Sequence, residues 1–254
     1  TCAHGGIIPS YGIGHSEAQW FVRGVPNVKK AFAKVWETND LLTSFDGVSL
    51  WRPWNIDPSW KTQSGQAWFH IDQHPISKPG KQCIQGLINL LPTSKEIGGN
   101  VVIPKSHNFF KDLPEEYKER VERLPLDIDH FRFPYDDPKL SSEPAVMAHM
   151  EPGDMLLWDS RTIHCSSSGS SLPEGTNDLI RAASLICMMP KKLSSKEILD
   201  KRIHAAENLV STTNWTNDFR NADEFPIILE AENRDQYKWP KKPNLSDYQK
   251  ELIA

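Results

Sequence analysis

The chain has 254 residues, of which 38% are apolar and 24% charged, with 9 Trp, 10 Phe and 5 Tyr. This is enough apolar material for one sizeable core, and it excludes a disordered chain. A formal net charge of −4 argues against a protein built to grip nucleic-acid phosphates, and no apolar run approaches the roughly 20 residues that span a bilayer.

Cys2, Cys83, Cys165 and Cys187 are far apart and form no CxxC pair. That pattern predicts neither a disulfide framework nor a zinc ribbon, and it points to a reducing compartment such as the cytoplasm. The chain opens on Thr1 rather than Met, so a targeting segment is not legible either way. The whole of 1–254 reads as one domain in three parts: a helical region (1–45), a β-rich core (46–190) and a C-terminal helix with a tail (191–254).

Ser16 to Gln19 reads as a capping box that starts a helix. Pro26 is suited to a first helical position, and Val28, Ala31, Phe32, Val35 and Trp36 then recur at helical spacing. From residue 46 short apolar runs alternate with Pro, Gly and Ser. They are Val48–Trp51, Ala67–His70, Cys83–Leu91, Val101–Ile103, Met155–Trp158 and Ala182–Met188. Short strands between turn signals predict a sandwich or barrel. Residues 108–145 interrupt the pattern as a polar, Pro-rich insertion with a short helix at 114–123, an insertion long enough to suggest function. A further helix is expected over 193–210, capped by Ser194 or Ser195, with Ile198, Ile203 and Leu209 on its apolar face.

The chemistry is carried by histidines and carboxylates. Two His and one carboxylate on one face of an iron ion leave positions open for a co-substrate and oxygen. In a strand, residues i and i+2 share a face, so His-x-Asp or His-x-Glu can grip one ion. The chain contains three such tripeptides: His15-Ser16-Glu17, His70-Ile71-Asp72 and His149-Met150-Glu151. The first falls on a helix cap and the third on a turn before Pro152-Gly153. His70 and Asp72 end an aromatic, strand-like run and have a distal partner in His164. Arg181, in the apolar strand beyond, offers a planar fork to a dicarboxylate co-substrate. His74 is displaced from the strand's metal face, and His107 suits a turn. His4, His130 and His204 have no assigned partners.

These residues occur in an order that resembles phytanoyl-CoA dioxygenase-like proteins, which are iron(II)- and 2-oxoglutarate-dependent oxygenases. The order is His70-Ile71-Asp72-Gln73, Gly98 through Pro104-Lys105-Ser106-His107, Gly153-Asp154 through His164, and Arg181. The resemblance spans about 46–190. It implies a mainly β fold with flanking α-helices, a double-stranded β-helix or jelly roll. It also implies iron(II) held by His70, Asp72 and His164, 2-oxoglutarate anchored by Arg181, O2 as oxidant and a small organic substrate. Asp72 is intact, whereas related halogenating enzymes lack this carboxylate, so hydroxylation or another C–H oxidation is implied. Two departures stand out. Lys105 replaces the glycine of the family's Pro-Gly-Ser-His, and the span from His164 to Arg181 is long, as though Ser166 to Gly175 were an inserted loop.

Strand alternation adds lesser candidates. Gln85 and Asn89 share a face and are candidate co-substrate contacts, as is Arg52 for an anion. Arg161, Trp68 and Trp158 are candidate substrate-pocket residues. Two other readings stay open: a jelly-roll metal enzyme that does not use 2-oxoglutarate, and a catalytically silent binding module. Substrate identity and oligomeric state are not legible.

Overall fold

The computed structural model describes residues 6–62, 68–224 and 238–254. Cys2, His4 and Ala67 lie outside them. Among the described residues the strands are β1 (Ile7–Ile8), β2 (Leu41–Thr43), β3 (Val48–Trp51), β4 (His70–Asp72), β5 (Ile84–Asn89), β6 (Gly98–Val102), β7 (His130–Arg132), β8 (Val146–Met147), β9 (Met155–Asp159), β10 (His164–Ser168) and β11 (Arg181–Pro190). One antiparallel sheet has the order β1-β3-β11-β5-β9, with β2 also pairing β11, and the other has the order β7-β4-β10-β6-β8. Both sheets line a common cavity, which is the expected jelly-roll arrangement. Strand and turn are as read at Val48–Trp51 and at Gly153, whose φ is 94°. The run ending at His70 differs, because pairing begins only at His70.

The period of two in each strand sorts side chains between the cavity and an outer apolar layer. On β5 and β11, Ile84, Ile88, Ile186 and Met188 face outward and pack with Val28 and Phe32. Those two lie on helix α2 (Pro26–Trp36), which has Pro26 in its first turn. Gly86 permits the close approach, since a Cβ there would meet the Phe32 ring at 3.0 Å and the Ile186 carbonyl at 2.8 Å. The preceding helix α1 (Glu17–Arg23) is capped by Ser16. The Gln19 side chain does not return to complete a capping box. It donates instead to the carbonyls of Asp46 and Gly47, tying α1 to the start of β3.

On the second sheet, Ile71, Cys165 and Ile163 face outward into a cluster with Phe110, Leu113, Val121 and Phe131. The last four come from the 108–145 insertion, which is therefore a packed layer over this sheet. The helix read at 114–123 forms as two short pieces, α3 (Leu113–Glu116) and α4 (Lys118–Glu122). Full burial of one side chain such as Ile71 stabilises by about 2–3 kcal/mol. Lys105, where the family has glycine, adopts φ 63°. A glycine suits such a left-handed turn, and Lys105 adopts it while pairing with Glu143 at 2.9 Å.

Ser166 to Ser168 are strand, paired with β6 from Asn100 to Gly98, so the long span before Arg181 begins as β10 and only then becomes a loop. The helix read over 193–210 is α5 (Lys196–Asn208), capped by Ser195. Its buried residues are Arg202 and Ala205, while Ile203 is exposed. The apolar stripe read from Ile198, Ile203 and Leu209 is thus wrong in its centre, because a buried arginine takes the inward position. The Arg202 guanidinium donates to the carbonyls of Thr43 (2.6 Å), Ile253 (2.8 Å), Leu252 (3.2 Å) and Thr216 (3.4 Å). It fastens β2, the tail and the last residues to one point. Arg202→Met should strip these buried carbonyls of the donors that join them and destabilise the protein by about 3 kcal/mol, read as a lower urea midpoint at unchanged slope.

Candidate active site

β4 and β10 pair through a single register partner, His164 opposite His70. Both side chains face the cavity because their neighbours, Ile71 and Cys165, fill the outer layer. The rings lie 4.4 Å apart, centroid to centroid. Asp72, two residues along β4, joins them on the same face. Its Oδ1 is 3.5 Å from His70 Nε2, and its Oδ2 is 3.3 Å from His164 Nε2. The triad expected from the sequence is thus brought together.

The backbone fixes the tautomer of each imidazole. His70 Nδ1 bonds the Trp68 carbonyl at 2.9 Å, and His164 Nδ1 bonds the Thr162 carbonyl at 2.8 Å. Carbonyls only accept, so each Nδ1 carries a proton and, in the neutral ring, each Nε2 presents a lone pair towards Asp72. Burial pushes His70 down to about 4, which keeps it neutral at neutral pH. Burial by itself would raise the Asp72 carboxyl. At the acid pH where Asp72 titrates, the His70 ring is charged, and its attraction, with hydrogen bonds from His130, His164 and His70, outweighs burial and holds the group well below the usual carboxylate range, so it is ionised at neutral pH. Two lone pairs and an anionic oxygen pair converge with no proton between them. That is an unfavourable arrangement unless a cation lies there. Ligands about 2.1 Å from one ion and at right angles to each other lie about 3 Å apart, close to the spacings seen.

The cavity around this triad has a volume of about 200 Å³. Trp68, Gln85, Trp158 and Arg181 line it, as expected from the sequence. Trp68 stacks on His70 at 4.9 Å and donates to the Ser166 carbonyl. Gln85 does not reach towards Arg181; its amide donates to Asp72 Oδ2 at 3.1 Å. Trp158 lies 5.4 Å from the His164 ring, and its Nε1 is buried without a partner. Arg181 is 1% exposed. It donates to Ser166 Oγ at 3.3 Å and lies over the Trp51 ring, and its Nε has no partner. Burial lowers its guanidinium to about 10, still charged at neutral pH. Among the described residues no carboxylate pairs with it. A buried cation with unused donors on a cavity wall fits an anionic ligand.

Three candidates do not reach the cavity. Arg52 follows β3 with the opposite parity to Ser49, and it is exposed and stacked on Trp60 at 4.0 Å. Arg161 is spent on a two-pronged pair with Asp159, at 2.8 and 2.6 Å. Asn89 is buried but bonds Thr93 Oγ1 and the Met150 carbonyl, holding β5 to the turn ahead of β9. His74 is a turn residue, its Nδ1 accepting from the amides of Ile76 and Ser77. His15 is buried beside Phe45 and Trp20, with Nε2 on the Val210 carbonyl.

Several cavity residues were not picked out from the sequence. Asn100 faces inward opposite Ser166, 5% exposed, with its Oδ1 unpartnered; alternation along β6 from Val101 could have found it. Thr212, Thr213 and Asn214 reach the cavity from the tail, where no sequence signal marks them. His130 reaches the triad from the insertion, with Nδ1 3.4 Å from Asp72 Oδ1. The donor atoms of His70, Asp72 and His130 in fact lie within 4.8 Å of one another. The grouping with His164 is the sounder ligand set, because both of its imidazoles are braced by backbone carbonyls whereas the His130 side chain is 48% exposed and has no such brace.

Residues 50–172, just under half of the chain, match the family model described as phytanoyl-CoA dioxygenase (PhyH). Over that stretch the chain is similar to phytanoyl-CoA dioxygenases. It is 33% identical over 211 residues to "Ava biosynthesis cluster protein O" of Aspergillus versicolor, covering 80% of this chain and 64% of that one. The chain spans about three fifths of the length of the curated relatives it matches. Among solved structures, the epimerase SnoN in complex with Fe3+, alpha ketoglutarate and nogalamycin RO is similar at 15% identity and a TM-score of 0.49, over 72% of this chain and 62% of that chain. EvdMO1 is similar at 18% identity and a TM-score of 0.44, over 70% of this chain and 34% of that chain.

The division between cavity and framework residues is testable. Asn89→Ala should lower stability by about 1–2 kcal/mol while leaving divalent-metal affinity unchanged. Denaturation and metal titration of the same protein check both halves.

Proposed function

We propose that this protein is an iron(II)- and 2-oxoglutarate-dependent oxygenase that oxidises a C–H bond of a small organic substrate. The observation that carries the reading is the convergence of two backbone-braced Nε2 atoms and an ionised carboxylate with no proton between them. A donor set of two nitrogens and one oxygen suits a ferrous ion and leaves further positions open. The second support is Arg181, a buried guanidinium facing the same cavity with no carboxylate partner among the described residues. A metal site alone would give that arginine no task, so the keto acid is favoured over a metal enzyme without it.

When bound, iron(II) and 2-oxoglutarate would couple decarboxylation of the keto acid to succinate with oxidation of the substrate by O2. The chain's own part is to hold and shield. His70, Asp72 and His164 would take one face of the ion. Arg181 and Ser166 would receive the distal carboxylate, through the guanidinium fork and a hydroxyl already aligned by it. Trp68 walls His70 from solvent, and Leu87 and Leu185 add apolar lining, which limits side reactions of a reactive site. The Aspergillus versicolor relative is named for a biosynthesis cluster, in keeping with a small-molecule substrate.

The test is succinate formation from 2-oxoglutarate, with His70→Ala, Asp72→Ala and His164→Ala each abolishing it. Iron(II) or manganese(II) with 2-oxoglutarate should raise the melting temperature, as ligands of the native state do. Turnover persisting in the three variants would overturn the reading. The arginines separate the anchor from its neighbours. Arg181→Met should weaken 2-oxoglutarate binding by about 100-fold or more, whereas Arg52→Ala and Arg161→Ala should stay within about twofold of the parent by titration calorimetry.

A further inference from the structure

We infer that His130 is a positioning residue of the metal centre: an imidazole delivered by the insertion that holds the Asp72 carboxylate in its ligating orientation. The inference rests on the reading of His70, Asp72 and His164 as the ligands. β7 pairs with β4 so that His130 stands directly opposite Asp72. Its Nδ1 lies 3.4 Å from Asp72 Oδ1, and its ring lies 4.4 Å from that of His70. An ionised carboxylate only accepts, so His130 Nδ1 carries the proton and donates. Gln85 Nε2 donates to the other oxygen, Oδ2, at 3.1 Å. The carboxylate is therefore held from two sides by two donors on different sheets, and its rotation about χ2 is restricted by both.

The same geometry argues that His130 is not itself a ligand. The nitrogen that meets Asp72 is the protonated one. A fourth protein ligand would also leave less room on the ion for a co-substrate and O2.

The placement of His130 is built, although its side chain is half exposed. Its neighbour Asp129 is anchored by Lys78 Nζ at 2.7 Å, by Arg220 at 3.3 Å and by the His74 amide at 3.2 Å. Lys78 also pairs with Asp218 at 2.8 Å and lies over the Trp215 ring at 3.7 Å. The loop after β4, the insertion and the tail thus converge on the residue next to His130. Partners that orient metal ligands in this way are commonly worth 10- to 100-fold in metal affinity.

The test uses Co(II) as the metal probe, with the full chain. His130→Phe should weaken Co(II) binding about 10- to 100-fold and alter the ligand-field absorption of the bound ion, with the melting temperature of the metal-free protein unchanged. His130→Asn, whose Nδ2 can replace the lost donor, should restore most of the affinity. Pulsed EPR of the Cu(II)-loaded protein should count the same number of bound imidazoles in the parent and in His130→Phe. Affinity within twofold of the parent in His130→Phe, failure of His130→Asn to improve on it, or one imidazole fewer in the variant would each overturn the inference. His70→Ala is the control that separates the two levels: full Co(II) affinity there would sink the ligand assignment itself.

Discussion

The site depends on one register: His164 paired opposite His70 across β10 and β4. Side chains alternate along a strand, so a slip of one residue would turn both imidazoles outward and bring Ile71 and Cys165 into the cavity. What prevents the slip is the outer face. Ile71 and Cys165 are each 0% exposed, in one cluster with Phe110, Leu113, Val121 and Phe131. Moving them inward would strip that cluster and bury histidines against aromatic rings. The polar centre is thus located by apolar packing on the other side of the same sheet, and the insertion that supplies the packing is part of the metal site's support.

A second consequence follows from the tautomers. Each brace runs from Nδ1 to the carbonyl two residues earlier, Trp68 for His70 and Thr162 for His164. Both carbonyls lie on the backbone just ahead of the strand that carries the imidazole, so the two rings are oriented without extra side chains. This leaves Asp72 as the one member with no backbone brace, and it is the one that Gln85 and His130 address. The division is economical in a physical sense: imidazoles are stiffened by the main chain, and the carboxylate by side-chain donors.

How much of this the sequence disclosed depends on the distance over which each signal acts. Local periodicity was enough for α2, β3, β5 and β9, and for the shared face of His70 and Asp72. Spacing and motif order were enough for His164 and Arg181. Parity explains the failure at Arg52: it is one residue past a strand whose cavity-facing position is Ser49, and counting in twos excludes it. Arg161 and Asn89 were misread for a different reason. Arg161 is taken up by Asp159 two residues away, and Asn89 turns its amide to Thr93 and Met150, and a side chain already engaged looks in sequence like an available one. Arg202 reverses the usual prior that an inward helical position is apolar; its four carbonyl partners come from three separate segments. His130 could not be placed because its role arises only from β7 pairing with β4, across 58 residues.

Ion pairs tie the insertion and the tail to the core. Lys78, Asp129, Asp218 and Arg220 link the loop after β4 to both segments, with Lys78 and Asp129 side chains at only 11% and 10% exposure. Charges that deeply placed are screened little by salt and are costly to leave unpaired. Burial pushes the Asp129 carboxyl up, against the lowering pull of Lys78 and Arg220, so its ionised form leans on those partners. The tail residues Thr212 to Asn214 that line the cavity and the insertion residue His130 are therefore positioned through a common charged hub. A change in either segment that disturbs Asp129 or Asp218 would reach the His70–Asp72–His164 cluster through β7, since His130 on that strand contacts Asp72.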